Sequence, residues 1–133
     1  MADFEEIKKG EKTFAIIISS DFSCHGTRFF TPDDYSQQLG FIRQDKGDVI
    51  KAHCHKPNER TITLTQEVLF VRKGKVKVRL YDDDKTFVCD RVLRRGDVII
   101  LVSGGHGFEF LDETEIIEVK QGPYAGVDDK EWF

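Results

Sequence analysis

The sequence predicts an all-β domain, a closed double-sheet barrel of short strands, and three observations predict it. Short runs rich in Val, Ile, Phe and Thr recur along the chain, each bounded by Gly, Asp, Asn or Pro. One of them, "KVKVRLY", alternates strictly, with Val76, Val78 and Leu80 on one face and Lys75, Lys77 and Arg79 on the other. Helical spacing is confined to two short stretches. Eleven such runs in 133 residues fit a barrel of two sheets, an arrangement that also disposes of exposed strand edges.

In chain order, Phe4 to Lys9 reads as a short helical turn, and "TFAIIIS" as the first strand. "TRFF" and "LGFIR" are strands flanking "TPDDYSQQL", where Thr31 caps a short helical turn with Pro32 at its first position. "DVIKAHC", "RTITLTQ" and "EVLFVRKG" follow, the last closing on Gly74. "KVKVRLYD" and "TFVCDRVL" form a hairpin across "YDDDKTF". "DVIILV", "HGFEFLD" and "TEIIEVKQ" complete the set. No repeat, low-complexity tract or Pro/Gly linker interrupts it. The reading is one domain over 1–133, with N-terminal strands in 12–46, a barrel core over about 47–120 and a tail at 121–133. That tail carries Pro123, Tyr124, Trp132 and Phe133, which either cover the barrel or pack across a partner subunit.

A chain of this length buries roughly two-thirds of the surface its unfolded form exposes. It therefore needs neither disulfide nor structural metal to fold, and a metal would point to function. Lys and Arg are dispersed and the formal net charge is −4, so the basic face expected of a nucleic-acid binder is missing. The N-terminus "MADFEEIKKGEK" is charged and has no apolar stretch, which gives no secretory signal and predicts a cytoplasmic protein. Cys24, Cys54 and Cys89 are then reduced thiols, odd in number and without a CxxC pair. Cys24 stands beside His25, but neighbours in extended chain point to opposite faces.

Two histidines carry the first chemical signal. In a strand, residues two apart share a face about 7 Å apart, so His53 and His55 point one way and Cys54 the other. Glu67 heads the apolar run "VLFVRKG", where a carboxylate turned inward is costly unless it is paired or bound to a cation. His106 opens a strand after the tight turn Ser103-Gly104-Gly105. Taken singly, these are ordinary surface histidines and a strand-end glutamate. Together they make three nitrogens and one carboxylate oxygen, a donor set suited to Fe, Mn, Ni or Zn.

With these residues the chain resembles a small single-domain cupin. The first motif of that superfamily reads as Gly47, "DVIKA", His53-Cys54-His55, then Glu67, "VLFVRK", Gly74; the second reads as Gly96, "DVIIL", then "VSGGH" ending at His106. The resemblance implies a jelly-roll barrel, or double-stranded β-helix, with His53, His55, Glu67 and His106 holding a divalent transition metal at its mouth. It also implies pairing through barrel faces as a homodimer. The spacing departs from the family pattern. Glu67 comes twelve positions after His55, whereas Glu59 falls at the usual shorter distance but lacks the following glycine. Val102 replaces the common proline, one residue is missing before His106, and Phe110 stands where asparagine is frequent. Glu67 is the preferred carboxylate and Glu59 the alternative.

Around this set, Thr61, Thr63 and Thr65 share the parity of Glu67, either as a hydroxyl-lined pocket wall or as plain strand formers facing water. Phe108 has the inward parity of His106. Arg43 lies on the same face as Phe41, as an anion clamp or as a strand-end arginine reaching water. Glu59 and Tyr124 are the candidates for a general base. The expected function is metal-dependent catalysis on a small polar substrate, with a sugar or sugar derivative favoured, by isomerase, epimerase or oxygenase chemistry. The alternative is a non-catalytic cupin that binds a small molecule. A barrel whose histidines bind nothing is the third reading.

Overall fold

The computed structural model describes residues 3–133. The fold is all-β, with strands β1 Phe4–Lys9, β2 Lys12–Ile18, β3 Gly26–Phe29, β4 Gly40–Arg43, β5 Glu67–Lys73, β6 Lys75–Tyr81, β7 Phe87–Arg94, β8 Val98–Leu101, β9 Gly105–Phe110 and β10 Glu115–Lys120. All pairings are antiparallel. They build a five-stranded sheet in the order β1-β2-β8-β5-β10, a three-stranded sheet β7-β6-β9, and the separate hairpin β3-β4. Among the described residues no sheet closes on itself, and the two larger sheets pack face to face as a sandwich. No helix among the described residues is long and apolar enough to cross a membrane.

Alternation decides which side chains meet between the sheets. Phe14, Ile17, Leu69, Val71 and Ile99 come from the five-stranded sheet and Val76, Val78, Leu80 and Leu93 from the three-stranded one, all in one buried cluster. Arg79, on the opposite face of β6, reaches across to Glu109 of β9 at 3.0 Å. The outer face of the larger sheet has its own small core, where Phe30, Tyr35 and Leu39 cover Ile16, Ile100 and Val102. Gly74 alone joins β5 to β6, so the chain crosses from one sheet to the other in a single residue.

One side of the sandwich is shut and the other open. On the shut side the edge strands β1 and β7 are clamped by Arg91, whose Nε and Nη2 donate to the two carboxylate oxygens of Glu5 at 2.9 and 2.8 Å. That guanidinium holds the Glu5 carboxyl below its ordinary value. On the open side β9 has no strand beyond it. Phe108 and Phe110 pair with Val78 and Val76 and so share their inward face, yet they are 36% and 60% exposed.

The N-terminal helical turn expected at Phe4–Lys9 is instead strand β1. It runs antiparallel to β2 through a turn at Gly10, with Phe4 opposite Ile18 and Ile7 opposite Ala15. The spacing of Phe4 and Ile7 fits a helix face, but the unsatisfied edge of β2 offers six residues of backbone pairing that a lone turn cannot match. "TPDDYSQQL" forms bends and turns rather than a capped helix. The Thr31 hydroxyl donates to Gln38 Oε1 at 2.7 Å and accepts from the Leu39 amide at 3.2 Å, tying the two ends of the loop together. "DVIKAHC" and "RTITLTQ" have strand composition but form no strand, because nothing among the described residues pairs with them.

Candidate metal centre

The centre of the candidate site is Glu67. It heads β5 with the inward parity of Leu69 and Val71, and only 8% of it is exposed. Its backbone neighbours are Leu101 on β8 and Lys120 on β10. His106 sits on β9 opposite Leu80, with the inward parity of that residue, and its ring lies 5.5 Å from Phe108. The two sheets therefore aim a carboxylate and an imidazole at each other, and His106 Nε2 meets Glu67 Oε2 at 3.4 Å. Contact with His106 holds the Glu67 carboxyl below its ordinary value, and Lys120 acts in the same direction against the cost of burial.

This shift has a measurable consequence. A carboxyl whose folded value is depressed contributes stability above its unfolded value, near 4.5, and loses it as pH falls through the folded value. In chelator-treated protein, the stability difference between wild type and Glu67→Gln is expected to shrink as pH drops below about 4.5. Urea unfolding across that range measures it. A constant difference down to pH 3 would show that the pair does not favour the ionised carboxylate.

His53 and His55 lie elsewhere. Both are exposed, in a segment from Ile42 to Thr65 in which every residue is exposed. Their rings contact one another edge to face at 5.3 Å, and His53 Nδ1 lies 2.8 Å from the Lys51 carbonyl oxygen. Within one chain the four expected ligands form two separate pairs, Glu67 with His106 and His53 with His55. Among the described residues the one group of three metal-type donors within 4.8 Å of each other is His25, Asp45 and Asp48. His25 Nε2 is 3.4 Å from Asp45 Oδ2, and all three residues are exposed. No spacing rule in the sequence joins His25 to the two aspartates, which the β3-β4 hairpin brings close.

The remaining candidates divide by location. Thr63 and Thr65 line a cleft of about 350 Å³ together with Arg60, Lys120, Tyr124 and Asp129. Thr61 and Thr63 line a second, more open cleft against Asp33 and Ser36. Ile62 and Leu64 line both clefts as well, so the alternation expected of a strand is absent here. Arg43 is exposed at the end of β4, where its Nη1 donates to Ser23 Oγ at 3.1 Å, and it has no place in the gap between the sheets. Glu59 is exposed in the same segment as the two histidines. In the tail, the Phe133 ring packs edge to face on Tyr81 at 5.1 Å, and a Cβ at Gly105 would stand 2.7 Å from it. The tail thus lies over the start of β9 in its own chain.

A buried carboxylate facing an imidazole across two sheets supplies oxygen and nitrogen donors of the right chemistry for a transition metal, and the exposed histidine pair supplies two more nitrogens. Comparison with protein-family models, with curated proteins and with solved structures returned no match.

Proposed function

We propose that this chain is a jelly-roll protein of the cupin type that holds a divalent transition metal at the mouth of its sandwich and uses it on a small polar substrate, a sugar derivative being the favoured class. One observation carries the reading: Glu67 is nearly buried with its inward oxygen facing His106 Nε2, and that contact holds its carboxyl below the ordinary value. A carboxylate is held inward when it is paired or bound to a cation, and Glu67 points its oxygen at a nitrogen donor. Glu67 and His106 would hold the ion, with His53 and His55 completing the nitrogen set. When bound, the ion supplies a Lewis acid that polarises a carbonyl or hydroxyl. The chain's own residues supply the rest: the Thr63, Thr65 and Tyr124 hydroxyls in the adjoining cleft suit a polyhydroxyl ligand, and Arg60 and Lys120 suit an anionic substituent.

Elemental analysis of untagged protein tests this, beside Glu67→Ala, Glu67→Gln and Glu59→Ala. Near-stoichiometric Fe, Mn, Ni or Zn is expected in the parent and in Glu59→Ala, falling more than about tenfold in both Glu67 variants. Melting curves would show that the variants remain folded. A parent free of metal after incubation with each ion would sink the reading. Metal uptake without turnover of any sugar or sugar nucleotide would instead favour a small-molecule receptor built on the same site.

A further inference from the structure

The segment Val49–Thr65 has the composition of strands and makes none. Val49, Ile50, Ile62 and Leu64 are 86%, 59%, 40% and 49% exposed. Among the described residues no backbone–backbone hydrogen bond is made by Val49–Thr65, whereas Gln66, immediately after it, is pinned on three sides. The Gln66 side-chain oxygen accepts from Ser36 Oγ and the Gln37 amide, and its carbonyl accepts from the Gln121 amide. The arm therefore joins the body at a fixed point: its last residues, 60–65, border the clefts beside Gln66, and the stretch 49–59 before them is exposed throughout. Held at both ends, by β4 and by Gln66, it can reach outward by half its contour, about 28 Å at about 3.3 Å per residue, still beyond the radius of a domain this size.

The body lacks what the arm carries. The outer edge of β9 is unpaired, and the inward-facing Phe108 and Phe110 beside it are exposed, so the sandwich lacks a strand where β9 would take one. That same strand presents His106 to Glu67, while the histidine pair rides on the arm. An apolar segment with unsatisfied backbone thus matches an apolar gap with an unsatisfied edge, and a two-nitrogen half-site matches a carboxylate–imidazole half-site. Elements that complement each other within one sequence, but are held apart in a single copy, are the requirement for reciprocal exchange about a twofold axis.

We propose that two copies of this chain exchange arms: the stretch around Val49–His55 of each adds to the free edge of β9 in the other, and its His53 and His55 complete the site begun by Glu67 and His106 of that other copy. The metal half of this inference rests on the function proposed above, and the exchange itself does not. The added strand covers Phe108 and Phe110 and removes an exposed edge that would otherwise be open to aggregation. Each dimer then holds two sites, both built across the interface.

Two variants separate exchange from its alternatives. One loses the arm ligands (His53→Ala with His55→Ala), the other the mouth ligand (Glu67→Ala). Heterodimers are isolated with two different tags, incubated with Ni²⁺, desalted and analysed for metal. If arms are exchanged, one of the two sites combines an intact arm with an intact mouth, and the heterodimer is expected to carry half the metal of wild type while each homodimer carries almost none. If each arm served its own chain, both sites would be broken and the heterodimer would be empty, which would overturn the proposal. Light scattering and hydrogen exchange on wild type read the exchange without any metal. A dimer is expected, with slow amides over residues 49–55 that become fast as dilution produces monomer. A monomer at all concentrations, or fast amides in the dimer, would overturn the exchange. If wild type takes up no Ni²⁺ yet shows dimer-linked protection, the exchange stands and the metal reading fails.

Discussion

Asp97→Ala is expected to lower stability by about 2–4 kcal/mol and the melting temperature by roughly 10–20 °C. Asp97 is 4% exposed in the turn between β7 and β8, and both its oxygens are used. Oδ1 accepts from the Ser20 amide and Oδ2 from the Arg94 amide, each at 2.8 Å. Truncation leaves two partly buried N–H groups without acceptors, and each such group costs about 1–3 kcal/mol. The backbone bonds of this turn to β5 survive the change: the Gly96 amide donates to the Val71 carbonyl at 2.8 Å and the Val71 amide to that of Asp97 at 3.0 Å. The loss is therefore confined to the side chain. Asp97→Asn keeps one acceptor and is expected to lose about half as much. The effect reaches the site through β8, which pairs Leu101 with Glu67 and Val98 with Phe70. Thermal melts of the two variants beside wild type measure it, and a shift under about 2 °C for the alanine would show that water replaces the carboxylate at no cost.

The strands with a strict alternation or a dense apolar run were legible in the sequence. Val76, Val78 and Leu80 are each 1% exposed, and Ile99 and Ile100 lie on opposite faces of a sheet buried on both. The facing of Glu67 and His106 was legible for the same reason: both belong to strands whose inward parity the apolar neighbours fix. What failed was anything that depends on a partner the segment itself does not contain. "FEEIKK" is weakly patterned and becomes a strand only because β2 has a free edge next to it; the signal that could have found it is Gly10 with Glu11 between two lysine-flanked runs. "DVIKAHC" and "RTITLTQ" have the converse problem. Their composition is that of strands, but composition does not name the edge a strand pairs with, and this chain leaves them exposed. The parity argument for Thr61, Thr63 and Thr65 falls with the strand it assumed. Glycine placement was more informative than it looked, since Gly74 and Gly96 both adopt positive φ at chain reversals.

Gly74→Ala is expected to cost about 3–5 kcal/mol. Two independent penalties add at this residue. Its φ of +92° is a conformation that a side chain makes costly by about 1–2 kcal/mol. A Cβ there would also stand 2.3 Å from the Glu113 carbonyl oxygen and 2.7 Å from Thr114 Cα, and neither backbone atom can swing aside as a side-chain tip would. The 111–114 loop is itself fastened to the corner. Thr114 Oγ1 accepts from the Lys75 amide at 3.2 Å and donates to the Lys75 carbonyl at 3.1 Å, while the Leu111 amide donates to that carbonyl at 2.9 Å. Relief then requires moving β6 away from β5. That movement would draw β9, paired with β6, away from β5 and part His106 from Glu67. Gly26 separates the two penalties, because its φ is +86° with nothing within 4 Å of a built Cβ. Gly26→Ala is expected to cost only the conformational share, about 1–2 kcal/mol. Urea unfolding of both variants gives the difference, and, on the metal-binding function proposed above, the metal content of folded Gly74→Ala at low temperature reads the displacement of His106 from Glu67. Equal losses in the two variants would mean that the corner yields freely, and that the spacing between the sheets, and with it the Glu67–His106 contact, is not set at Gly74.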